Sequence, residues 1–359
     1  MAYRSFSEAF IIFHIDENGR PVQIMPYSIN TATYVAVSIS ICRGMLRDPM
    51  VKTAFKKLAD NFDPESSEAW YKDLPKNEVV ELFINKILER FPLVLVDYSL
   101  KNPDFRAYHY RRAWDHGYGF ETHDQAIAVN GPRVRDMLIA GVNAEATEDP
   151  NSDERKRFRV FLFILAKSFL HELGHMFVTF LGKGDTDTPP RMNAQQVGSP
   201  QNTRGEAGRY LEDLVFGGLV KVMRNPAEDD SQAGLCYLDN EEGSREIVQE
   251  TVDEIIKYQF KFPIARFGAP MPDSMISLGY GLPQPIDHGD PIQTYETQQL
   301  LEAHKAGSFR WDKEVNDLLA QSPQPRTLSE HEKSVMRRVP FGPSLLVEDP
   351  SEPRAQAVK

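Results

Sequence analysis

Cysteine is nearly absent. Cys42 and Cys236 are the only two in 359 residues, too few for a disulfide framework and in keeping with a reducing compartment. Long apolar runs are missing as well: no stretch of about eighteen consecutive apolar residues occurs, which argues against a membrane span. The N-terminal segment MAYRSFSEAFIIFHIDENGR has an apolar patch only from Ala9 to Phe13, without the longer core and small-residue cleavage site of a secretory signal. These absences lead us to expect a cytoplasmic protein with no membrane partner. An excess of positive charge is also lacking. The formal net charge is −11, whereas phosphate binding needs a clustered basic surface. The basic runs are short, Arg111-Arg112 and Arg155-Lys156-Arg157, and the second follows Asp153 and Glu154 in what reads as a solvated helix start. Nucleic acid is therefore not an expected partner.

What remains is the composition of a soluble globular chain, 41% hydrophobic and 26% charged, long enough for a sizeable core. No internal repeat is found. Strand-like runs (AFIIFHI, FPLVLVDYSL) alternate with helical ones (VKTAFKKLADNF, NEVVELFINKILERF) in the first hundred residues. The last of these helical runs places Val79, Leu82, Phe83, Ile87 and Leu88 at helical spacing. Gln125 to Asn130 reads as a strand closed by an Asn-Gly-Pro turn and followed by a short helix. A polar loop then leads into the most apolar helix of the chain, with Asn151 or Ser152 as its N-cap and Gly182 at its end. Further helices are expected over about Glu206–Arg224, about Arg245–Gln259 and in TYETQQLLEAHKAG, with Pro/Gly-rich loops over 262–291 and a disordered polar tail.

Within the apolar helix stands Ser168-Phe-Leu-His-Glu-Leu-Gly-His-Met-Phe177. Residues i and i+4 lie one above the other on a helix, so His171 and His175 can direct two imidazoles at one ion. Glu172 flanks them where it can reach a water on that ion. The pattern H-E-x-x-H encodes two neutral imidazole ligands and a carboxylate base. By average residue usage the pentad arises by chance in about one chain of this length in a hundred. A chance copy buried in an apolar helix would leave two imidazoles and a carboxylate without partners, which is costly; one zinc ion supplies them.

A catalytic zinc takes three protein ligands and keeps a fourth position open, so a third ligand is needed from elsewhere. The next helix offers two carboxylates. Glu206 fits the last position of a capping box, Thr203-Arg-Gly-Glu206, in which it would reach back to a backbone N–H. Glu212 has Gly208, Val215, Phe216 and Leu219 at helical spacing, an apolar face on which a lone carboxylate wants a cation. The pattern favours Glu212 as ligand and leaves Glu206 as the alternative ligand or a helix cap.

These two segments, HELGH and the downstream LEDLVFGGLV, together resemble the ImmA/IrrE-type metallopeptidases and, more broadly, the glutamate zincins, over about residues 161–222. In that group H-E-x-G-H is followed by a helix carrying E-x-x-x-F-A, whose glutamate is the third zinc ligand. Glu212-Asp-Leu-Val-Phe216-Gly217 matches that spacing, with Gly217 where the family has Ala. The resemblance implies His171, His175 and Glu212 as ligands, Glu172 as general base, and hydrolysis of amide bonds in a peptide or protein substrate. The competing class is a non-proteolytic protein on a zincin scaffold, a regulatory or binding module or a biosynthetic metalloenzyme.

Zincins present a strand at the edge of the cleft that pairs with an extended substrate. Asp124 to Asn130 is the candidate, with an ordinary core strand as the other reading. Tyr210, Arg209, Tyr280 and His288 are candidate electrophilic helpers beside zinc, though each reads more readily as structural or exposed. His109, His116 and His123 follow a seven-residue spacing that fits no compact ligand motif. The expected architecture is α+β: a zincin-like core over 106–262 with a small mixed sheet on the metal helix. Residues 1–105 are expected to form a lobe or part of that core, 263–335 loops and C-terminal helices, and 336–359 a disordered tail.

Overall fold

A computed structural model describes residues 12–15, 21–24, 31–62, 70–99, 107–111, 114, 119–184, 188–189, 191–192, 205–223 and 231–272. The fold is α+β, with seven α-helices and two sheets among the described residues. Residues expected in a late helix, the loops beyond 272 and the polar tail lie outside them, as do Tyr280, His288 and His116.

The first sheet has the order β2-β1-β3-β5-β4, with β1 Ile12–Ile15, β2 Pro21–Ile24, β3 Leu93–Asp97, β4 Ala107–Tyr110 and β5 Ala126–Asn130. Strands β1, β3 and β5 are parallel, and β2 and β4 are antiparallel at the two edges. The near-continuous apolar run of β3 and the AIAV of β5 suit strands buried on both faces. One face, with Ile12, Val94, Val96, Ile127 and Val129, joins the main helical core; the other gathers Phe13, Ile15, Leu93, Leu95, Tyr108, Ala126 and Ala128. The boundary expected near residue 105 therefore runs through a hydrogen-bonded sheet. Strands β1 and β3 of the N-terminal region share one sheet with β5, which pairs with β3 on one side and with β4 on the other.

Helices α1 Thr31–Arg47, α2 Pro49–Asn61, α3 Lys76–Glu89 and α4 Gly131–Ala146 surround α5, Asp153–Gly182. Asn130 ends β5 and caps α4 by accepting from the Arg133 amide at 3.0 Å, so the Asn-Gly-Pro signal marks a strand-to-helix junction. Helix α5 starts on Ser152, whose hydroxyl accepts from Arg155 N, with Asp153 and Glu154 in the first turn where the helix dipole favours them. It ends with Lys183 in the left-handed region at φ 58°.

By length and composition α5 could cross a bilayer, yet most of its apolar window is inside the fold. Phe177 and Phe180 pack with Phe55, Phe83, Phe120 and Trp70. The indole N–H groups of Trp70 and Trp114 donate to the Phe180 and Thr179 carbonyls at 3.1 and 3.4 Å, satisfying acceptors near the end of the helix.

Downstream the observed elements are shorter than expected. Helix α6 covers Ala207–Phe216 and stops where Gly217 takes φ +81°. The β-branched sequence that follows forms strand β6, Leu219–Met223, rather than continuing the helix. The helix expected over 245–259 is divided between a strand, Gly243–Ile247, and a two-turn helix. Strands β6, β7 Leu235–Asn240, β8 Gly243–Ile247 and β9 Phe267–Pro270 make an antiparallel sheet in sequence order, with α7 Gln249–Ile256 inserted before β9.

Candidate metal centre

Two helices build the site. On α5, His171 and His175 stand one turn apart with ring centroids 5.1 Å from each other. Helix α6 crosses them at its N-terminal end, and two glycines set how close the helices come. A Cβ on Gly208 would lie 2.5 Å from the His171 ring, and one on Gly174 would lie 3.1 Å from the Ala207 carbonyl oxygen and 3.2 Å from Gly208 Cα. The Gly in HELGH is thus a contact point between helices as well as a spacer. We expect Gly208→Ala to push α6 off the imidazole, costing about 1–3 kcal/mol as overpacking does and weakening zinc binding with it. Denaturant unfolding and zinc content check this together; a variant unchanged in both would contradict the close approach.

At the start of α6 stands Glu206. Its backbone N–H donates to the Met192 carbonyl at 2.8 Å, and the Gly205 N–H donates to the Thr188 carbonyl at 3.1 Å. One carboxylate oxygen, Oε2, accepts from the Arg209 amide, so Glu206 is itself the N-cap and not the third residue of a capping box begun by Thr203. Thr203 lies outside the described residues. The other oxygen, Oε1, is 2.7 Å from His175 Nε2 and 3.2 Å from His171 Nε2. Ligand atoms of His171, His175 and Glu206 all lie within 4.8 Å of one another.

Glu212 takes a different place from the one expected of it. Its Oε1 is 2.6 Å from His171 Nδ1, on the far side of the ring from Glu206, and 2.6 Å from Lys167 Nζ. Its Oε2 is 3.4 Å from the Val220 amide. The cation required by this buried carboxylate is the ammonium of Lys167, one helical turn before His171 and itself buried. An apolar helix face around a carboxylate shows that it needs a positive partner, not which one. Glu206, and not Glu212, stands in the group of donor atoms that converges with His175 and with Nε2 of His171, while Glu212 meets Nδ1 on the other side of that ring.

The charges follow from these contacts. Burial opposes a charge on His171, but the Glu206 and Glu212 carboxylates outweigh it and push the imidazole up to about 10. Burial also works against ionised Glu206, yet His171 and His175 hold it well below the usual carboxylate range. Glu212 shows the same opposition between burial and its partners Lys167 and His171, with a net lowering. Glu172 goes the other way. Burial raises its carboxyl against the pull of His171 and His175, and it has no hydrogen-bond partner among the described residues.

This donor set fits zinc. Bonds of about 2.0–2.1 Å in a tetrahedron separate neighbouring ligand atoms by roughly 3.3 Å, near the 2.7 and 3.2 Å from Glu206 Oε1 to the two imidazole nitrogens. With a metal bound, Glu212 would keep the proton on His171 Nδ1 and orient the ring, while Nε2 would give up its proton to ligate, the carboxylate–histidine arrangement usual around zinc. From that arrangement we expect Glu212→Gln to weaken zinc binding by about 10–100-fold while some metal is retained. Competition against a chromophoric chelator measures it, and an unchanged affinity would show that Glu212 does not orient His171.

The other candidates are more dispersed. The Tyr210 hydroxyl accepts from Asn61 Nδ2 at the end of α2, at 3.0 Å. Arg209 contributes its backbone amide to Glu206. Strand β5 is interior, paired with β3 and β4, so Asp124 to Asn130 is the core-strand reading, and among the described residues β4 is the edge. His109 on β4 lies 3.0 Å through Nε2 from Gln125 Oε1, and burial pushes its imidazole down to about 3, with the nearby His175 adding to the shift.

Lys167, Gly208 and His109 all bear on the site, and the sequence analysis assigned none of them a place there. The i−4 spacing of Lys167 from His171 was the one local signal. No protein-family model, curated protein or solved structure matches this chain.

Proposed function

We propose that the protein is a zinc-dependent hydrolase of amide bonds on a zincin-like core. The observation that carries this is the convergence of His171 Nε2, His175 Nε2 and Glu206 Oε1 from two helices beside a buried, raised-pKa carboxylate, Glu172. Zinc held by those three residues would supply a Lewis acid and lower the pKa of a water to about 7. Glu172 is the group to take that water's proton, since burial brings its pKa toward the working range of a general base. Lys167 and Glu212 hold His171 in its ligating orientation. A peptide or protein substrate is favoured because β4 is an edge strand packed against α5, so an extended chain added to its outer edge would run beside the metal helix. What supports the zincin-like reading is the HELGH helix beside a mixed sheet, followed by a helix whose N-cap carboxylate converges with the two histidines.

Digestion of a diverse peptide library by the zinc-loaded protein tests the reading. Cleavage that stops on chelation and returns with zinc is expected. Stoichiometric zinc without cleavage of any sequence would turn the assignment to a regulatory or binding protein on the same scaffold.

A further inference from the structure

Lys167 stands one helical turn before His171 on α5, so the two side chains share a helix face. Its ammonium is 2.6 Å from Glu212 Oε1, and His171 Nδ1 is 2.6 Å from that same oxygen. The second oxygen, Oε2, meets the Val220 amide at 3.4 Å. Lys167 and Glu212 are both buried. Orienting His171 does not by itself call for such a pair, since a backbone carbonyl or a water serves as the Nδ1 acceptor at many metal sites. A buried ion pair is a costly way to reach the same end, because both charges lose their water. What the pair adds is a cation on the one oxygen that the imidazole uses. The ammonium offsets part of the negative charge that Nδ1–H would otherwise meet there, and so weakens the hold of Oε1 on that proton.

Resting on the hydrolase reading above, we propose that Lys167 tunes the metal centre through Glu212, limiting how much electron density His171 gives to the metal. A carboxylate on Nδ1 raises the basicity of the ligating nitrogen. A more basic ligand holds zinc more tightly and leaves the ion less positive, hence a weaker Lewis acid. Lys167 opposes that change. It lowers metal affinity and raises reactivity, acting through Glu212 and His171 as a positioning residue. No covalent bond to Lys167 forms or breaks.

The two effects have opposite signs, and that makes the test. Lys167→Met nearly keeps the length of the side chain and removes its charge. Zinc affinity, measured by competition with a chromophoric chelator, should rise about tenfold, within the range that residues behind a ligand command. On zinc-loaded protein, kcat for a peptide that the wild type cleaves should fall by about the same factor, with KM little changed. Lys167→Arg keeps a cation on Oε1 and should return both values toward wild type. Lys167→Met leaves Glu212 buried without that cation. If it does not fold, Lys167→Gln, which keeps a neutral N–H donor, carries the same two measurements. In the Glu212→Gln background, Lys167→Met should change neither value, because the carboxylate through which it acts is gone. A lysine that only supports the structure would lower affinity and kcat together, and that result overturns the proposal. So does an effect of Lys167→Met that persists in the Glu212→Gln background. A wild type that binds one zinc but cleaves nothing overturns the hydrolase reading and leaves the affinities to decide the role of Lys167. A wild type that takes up no zinc overturns both.

Discussion

Glu206→Gln is expected to strip the metal from the chain. The substitution keeps an oxygen for the Arg209 amide, so α6 should remain capped; even complete loss of the cap costs only about 1 kcal/mol. What it removes is the anionic donor 2.7 Å from His175 Nε2 and 3.2 Å from His171 Nε2. Zinc affinity should fall well beyond the roughly 10–100-fold expected when a residue behind a ligand is changed, and activity should fall with it. Zinc content after equilibrium dialysis, alongside a thermal melt, separates metal loss from unfolding. The comparison with Glu212→Gln is the sharp one. Glu212 bonds Nδ1 and Lys167, so its variant should still bind zinc where the Glu206 variant does not. The opposite order would restore Glu212 as ligand and with it the full E-x-x-x-F resemblance.

The second large effect belongs to Glu172. It is buried beside the two histidines without being one of the clustered ligand residues, so Glu172→Gln should leave zinc bound at one per chain. Removing a positioned general base lowers turnover by about 10²–10⁴-fold. Because the base acts in the chemical step, the loss should appear in kcat with little change in KM. Steady-state kinetics on a peptide that the wild type cleaves is the measurement. Turnover retained by a zinc-replete Glu172→Gln protein would remove Glu172 from the mechanism.

Much of the fold could be read from local pattern. The strand at Gln125–Asn130, the helices in VKTAFKKLADNF and NEVVELFINKILERF, and the long apolar α5 with its Ser152 cap are all present. Hydrophobic period and capping chemistry act over a few residues, and there the reading was sound. It failed where tertiary pairing decides. Val220 and Val222 follow a helix whose periodicity alone would carry on, but Gly217 turns the chain and pairing with β7 makes them a strand. The edge position of β4 could not be read because strand order depends on contacts distant in sequence.

The site shows the same division. The two histidines and Glu172 were legible because helix geometry fixes their relation. The choice between Glu206 and Glu212 could not be made from sequence, because both carboxylates had a defensible local environment and the contacts that distinguish them are not local. Lys167 compensates Glu212 from another helix, and the Thr188 and Met192 carbonyls accept from the Gly205 and Glu206 amides that bring Glu206 to the histidines. A lone charge on an apolar helix face says that a partner exists; it does not say whether the partner is a metal or a lysine.

The most direct test of the account is the zinc stoichiometry of the wild-type protein, purified without chelator and dialysed against buffered zinc at a free concentration too low to fill adventitious surface sites. The account predicts one zinc per chain. A folded protein that retains none and takes up none would contradict it.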